Sequence, residues 1–186
     1  MWNTVPLLGR YIFNSLFLAT CTALITLISA FCGLDIDSNN GIELYEIYCF
    51  LAKEITGCPV SWTGVIDNEK QFVLARDGFP DEVPMEMPRE QTLCQFAIEK
   101  TEPLIINDMT IDYRFKNHPA VVDFGVKFYA AFPVTTSDGY TLGTLCVSDN
   151  RVRRLTKNKI KLLKGLSDKS VKPLLKIFSV KLTKFL

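Results

Sequence analysis

Two apolar runs joined by an Asp-Gly turn constrain this chain more than any other feature. Residues 126–136 read VKFYAAFPVTT and residues 141–149 read TLGTLCVSD, with Ser137-Asp138-Gly139-Tyr140 between them. An Asp-Gly pair between such runs is among the strongest short-range hairpin signals, because glycine reaches the positive φ that a tight turn needs. Any fold for this chain therefore contains an antiparallel hairpin here. Ala130 and Ala131 on its first strand leave room for a helix or ligand to approach. Gly143 on its second strand permits a close approach that a Cβ would block.

Other elements follow from periodicity. Residues 42–55 place Ile42, Tyr45, Cys49, Leu51, Ala52 and Ile55 among charged positions, which reads as an amphipathic helix ended by Gly57-Cys58-Pro59. Residues 60–67 and 71–78 read as two strands around the turn Asn68-Glu69-Lys70. Residues 79–89 hold three prolines and read as a loop. Residues 90–100 read as a short helix and 103–109 as a short strand, with an irregular polar stretch over 110–122. From Leu155 the apolar positions follow a helical face, which Pro173 should kink or break.

Charge is unevenly placed. Residues 1–90 hold 5 Lys/Arg and 12 Asp/Glu, whereas residues 91–186 hold 16 and 8. The net charge of +1 argues against nucleic acid as a partner of the whole chain. The basic residues gather after Leu155, where nine lysines face one acid, Asp168. Between Arg10 and Asp35 lie 24 residues without a charge, long enough to span a bilayer. We divide the chain into a hydrophobic extension at 1–34, a domain at 35–175 and a basic tail at 176–186. The extension reads first as a membrane anchor for a cytoplasmic domain, with a cleaved leader or a buried helix as alternatives. Charges beside the span favour the opposite orientation, since Arg10 precedes it and acids follow. The basic tail favours the cytoplasmic leaflet, and both segments are expected membrane contacts.

The ordered motifs resemble those of the GAF domain family. Thr92-Leu93-Cys94 resembles its "FC" segment, and Pro103 to Asp108 its "pLvv.D" strand. Asp112-Tyr113-Arg114-Phe115 with Asn117-His118-Pro119 resembles "D.RF..NP". Phe128 to Val134 resembles "FYAgaPl", and Asp138 to Asp149 resembles "dG..lGtLcv.D". The resemblance implies an α/β fold, a central antiparallel sheet of five or six strands with helices on its faces. It also implies a sensory domain of the bacterial type found beside histidine kinase or diguanylate cyclase modules.

Chemistry narrows the role. His118 is the only histidine, and no cysteine pair has C-x-x-C spacing, so a multi-histidine or Cys-x-x-Cys zinc site is excluded. Asp108, Asp112, Asp123 and Asp149 lack the spacing of a calcium loop. No Cys-His pair is present to attach a bilin as photoreceptor relatives do, and no cofactor is expected. The six cysteines read as reduced and mostly buried. We therefore read a non-catalytic sensory module that binds an unidentified small molecule and pairs with a second copy through its terminal helices, or with a separate signalling protein. By resemblance the pocket lies between the sheet and the connection at 96–126. Its candidate walls are Trp62, Phe96, Phe115, Phe128, Tyr129 and Phe132, with Asp108, Asp112 and Arg114 as polar groups. The alternatives are a small redox enzyme using Cys94 or Cys146, and a scaffold that keeps only the fold.

Overall fold

The computed structural model describes residues 41–79 and 81–183, with side chains to residue 175. The hydrophobic stretch at 11–34 and the side chains of the basic tail at 176–186 lie outside the described residues. Among the described residues, no helix is long and apolar enough to cross a membrane.

The first helix, α1, runs Gly41–Thr56. A helix of this length is marginal alone in water, so its stability must come from packing. Tyr45, Tyr48, Cys49 and Ala52 supply that packing and are buried. Thr56 Oγ1 donates back to Ala52 O at 2.7 Å, and Gly57 N closes the end on Lys53 O. Strands β1 (Val60–Ile66) and β2 (Lys70–Asp77) follow as a hairpin. Asp67 Oδ1 holds its turn by accepting from Glu69 N and Lys70 N at 2.8 and 2.6 Å.

The loop expected at 79–89 contains a strand, β3 (Glu86–Pro88), paired to β2. Its one proline, Pro88, is tolerated because the strand lies at the sheet edge. The single helix expected at 90–100 is split. A 3-10 turn over Arg89–Gln91 is separated from α2 (Cys94–Ala97) by Leu93 and Thr92, the latter extended and bonded back onto Arg89 O. Strand β4 spans only Leu104–Ile106, and α3 occupies Pro119–Val122 in the stretch expected to be irregular. Strands β5 (Phe128–Thr135) and β6 (Thr141–Asp149) form the expected hairpin, with Gly139 at φ +91 in the turn. Helix α4 runs Lys157–Thr183 and continues through Pro173 rather than ending there.

The six strands form one antiparallel sheet in the order β3-β2-β1-β6-β5-β4. The α/β expectation and the six-stranded count therefore hold. Helices α1 and α4 cover one face. Tyr45 Oη donates to Ser170 O at 2.6 Å, and Ser167 Oγ donates to the carbonyls of Phe132 and Pro133. The other face is covered by α2, α3 and the connection around them. Both faces being covered explains why β5 and β6 read as continuous apolar runs. At the seam of the two central strands Val65 pairs with Gly143, where a Cβ would lie 2.0 Å from Gly64 O.

Candidate functional site

Strand register lays one row of side chains across the second face of the sheet. Trp62 pairs with Cys146, Cys146 with Ala131, and Ala131 with Leu104. Tyr129 lies two residues before Ala131 and shares its face. Above this row α2 places Cys94, whose Sγ is 3.5 Å from Cys146 Sγ. Tyr129 Oη donates to Cys94 Sγ at 3.3 Å and lies 3.4 Å from Cys146 Sγ. Cys146 Sγ donates to Thr144 Oγ1 at 3.1 Å. The Trp62 indole packs on Tyr129 and, edge-on, against Phe79.

The sulfur separation is far above a disulfide bond length, so both thiols are free. Their environments are unequal. Burial by itself raises the Cys94 thiol. The groups around it, led by Cys146 and joined by Thr144, Tyr129 and Trp62, outweigh burial and hold it below the ordinary thiol value. Burial and the neighbouring Cys94 push Cys146 up. The pair thus gives up its first proton from one sulfur and retains the second. Burial also raises Cys49, to about 11, and Cys58, so these two stay protonated.

The connection at 107–127 roofs this face. Asp108 Oδ1 accepts from Thr110 N at 3.0 Å, and Met109 N donates to Lys127 O. Asp112 and Arg114 form a two-pronged pair, Nε–Oδ1 at 3.0 Å and Nη2–Oδ2 at 2.7 Å. Arg114 holds the Asp112 carboxyl below its usual range. Beside them Phe115 turns inward, meets Phe96 edge-on at 5.1 Å, and carries the Arg114 guanidinium 4.8 Å over its ring. Met109, Phe115, Tyr129 and Cys146 have at most 1% of their surface exposed, so this part of the face is closed to solvent.

Trp62, Phe115 and Tyr129 meet in one core cluster, together with Leu93, Cys94, Met109 and Cys146. Phe96 reaches Phe115 from the rim. Asp108, Asp112 and Arg114 lie on the connection, bonded to their own segment rather than to the row beneath. Phe128 and Phe132 do not line this side. They alternate with Tyr129 along β5 and so face α1 and α4. Sequence reasoning missed Met109, Gln71 and His118. Three polar atoms here have no hydrogen-bond partner of normal geometry: Trp62 Nε1 and Gln71 Oε1 on the sheet, and His118 Nε2 in the connection. Each buried orphan costs about 1–3 kcal/mol.

His118 also caps α3, with Nδ1 accepting from Ala120 N at 3.1 Å. Burial holds its pKa below the ordinary imidazole value. The unfolded chain then binds the proton first as pH falls through about 6.5. Stability is full above that value and is lost below it, until the folded pKa is reached. A protonated ring cannot accept from Ala120, so acid should release the start of α3. We expect amide exchange across 107–127, corrected for intrinsic rates, to quicken between about pH 7 and about pH 5.5. His118→Asn caps without titrating and should remove that excess. An unchanged pH profile in this variant would assign the loosening to another group.

Comparisons agree with this architecture. A family model described as GAF domain matches residues 43–169. A cyclic di-GMP phosphodiesterase of Pseudomonas aeruginosa is 30% identical over 112 residues, which is 60% of this chain and 19% of that protein. The chain thus corresponds to about a fifth of that relative's length. Among solved structures, the GAF domain of a phosphoenolpyruvate-protein phosphotransferase from Coxiella burnetii superposes with a TM-score of 0.70 at 12% identity. That match covers 90% of this chain and 98% of the other. A type II free methionine-R-sulfoxide reductase from Thermoplasma acidophilum gives 0.61 at 16% identity, covering 74% and 94%. At these identities the structural likeness is one of fold.

Proposed function

The chain belongs to the GAF domain family, and on that premise we propose that it is a sensory module that takes up a small molecule between its sheet and the connection at 107–127. The observation that carries this reading is the set of orphaned polar atoms, Trp62 Nε1, Gln71 Oε1 and His118 Nε2, on an otherwise apolar face and its roof. A ligand with an apolar body and polar edges offers an acceptor to the indole N–H and a donor to the Gln71 amide oxygen. Phe96 and Phe115 would yield to admit it, and the Asp112–Arg114 pair would move with the connection. Occupancy is then reported by the connection's position, to a second copy or a separate protein.

Native mass spectrometry of the purified full chain tests this directly, paired with thermal shifts across metabolites and cyclic nucleotides. A bound species at 100 times its Kd stabilises by about 2.7 kcal/mol. We expect a retained mass or a rise of several degrees for one chemical class. An empty protein with no shift across the panel would instead leave the scaffold reading. A reductase reading draws on the adjacent thiols and the likeness to the sulfoxide reductase. It requires turnover of a sulfoxide that stops in Cys94→Ser; absence of turnover removes it.

A further inference from the structure

We propose that Cys94 and Cys146 form a hydroperoxide-oxidisable dithiol, with Cys94 as the attacking thiol and Cys146 as the resolving one. The proposal stands independently of ligand binding. Three observations carry it. The sulfurs are 3.5 Å apart, already in contact. Tyr129 Oη donates to Cys94 at 3.3 Å, its ring backed by the Trp62 indole. This donor is aimed where a thiolate forms and has less to offer a neutral thiol. The pair sits on elements of unequal stiffness. Cys146 belongs to a central strand bonded on both sides, whereas α2 is a single turn. Closing to a bond near 2.05 Å needs an approach of about 1.5 Å, which α2 can make alone.

The chemistry balances. The Cys94 thiolate attacks one peroxide oxygen, and the O–O bond breaks as the S–O bond forms. The leaving hydroxide takes up the proton that Cys94 gave up and departs as water, leaving a sulfenic acid. Cys146 then attacks the Cys94 sulfur. The S–O bond breaks, and the departing hydroxide leaves as water with the Cys146 proton. Two thiols lose two electrons and two protons, and one peroxide becomes two waters. A thiol reductant reverses the change. Both cysteines are buried, so peroxide reaches the pair only when their cover opens, which makes the reaction sensitive to whatever holds that cover shut.

Cys49 and Cys58 are the internal controls, because both are buried free thiols with no hydrogen-bonded sulfur partner among the described residues. The reduced full chain is treated with hydrogen peroxide, denatured in N-ethylmaleimide and mapped by peptide mass spectrometry. We expect a peptide linked through Cys94 and Cys146, lighter by two hydrogens, formed at least about ten times faster than either control is lost. In Cys146→Ser, dimedone should capture the sulfenic acid on Cys94. Tyr129→Phe should slow loss of Cys94 several-fold while leaving the controls unchanged. Loss of Cys94 and Cys146 no faster than the controls overturns the proposal, and that comparison needs only the natural chain. Oxidation that starts at Cys146, or a Cys94 rate indifferent to Tyr129→Phe, overturns the assigned roles.

Discussion

Gly143→Ala is expected to give a chain that does not complete its sheet. The added Cβ would lie 2.0 Å from Gly64 O and 3.0 Å from both Gly64 C and Val65 Cα. These are backbone atoms of the facing central strand, so no side-chain rotation relieves the clash. The two strands must part, and the β1–β6 seam joins the two halves of the sheet. We expect a loss above about 4 kcal/mol, or no cooperative transition in urea. Gly139→Ala is the contrasting control. It sits at φ +91, a strain Gly143 does not share, but a Cβ there meets nothing within 4 Å. Its cost should be about 1–2 kcal/mol, from backbone conformation alone. Equal losses at the two positions would mean that strand approach is not what Gly143 provides.

Phe115→Ala has the next largest expected effect. The ring is fully buried, held between Phe96 and the Arg114 guanidinium, and it is the main apolar anchor of the connection's centre. Removing a buried phenyl ring costs about 3–5 kcal/mol, since lost burial and the cavity left behind add. For a domain of this size that lowers Tm by roughly 10 °C. Tyr113→Ala, two residues away and 84% exposed, should shift stability by no more than about 0.5 kcal/mol. Amide exchange in Phe115→Ala should rise most across 107–127. If both variants behave alike, the connection is held by its backbone bonds and not by the ring.

The sequence made the hairpin at 126–149 legible because turn chemistry and apolar runs agree there. The β6 boundaries came out as read, Thr141–Asp149. The short strands were harder. β3 carries two residues beside a proline and owes its conformation to pairing with β2, which no local pattern records. The helix at 90–100 was overextended because Thr92 adopts an extended conformation inside a run of good helix formers. At the candidate site, residue type and place in the sequence put Trp62, Phe115 and Tyr129 together, and the three share one core cluster. Phe128 and Phe132 were placed on the wrong side because β5 is apolar on both faces, so alternation carries no signal about which face is which. The meeting of Cys94 and Cys146 joins residues 52 apart in sequence and is purely tertiary.

The ends of the sheet bear on how this chain can meet its own copies. β3 and β4 are three residues long, and Pro88 in β3 has no amide hydrogen to offer. A long, flat border would be a template on which another polypeptide could add a strand, the route to fibrils and exchanged dimers. The two outermost strands themselves present few main-chain donors and acceptors to such growth. Pairing onto them is therefore disfavoured. Among the described residues, assembly then falls chiefly to side chains on the helices and on the roof of the site, where substitution can tune it without touching the sheet.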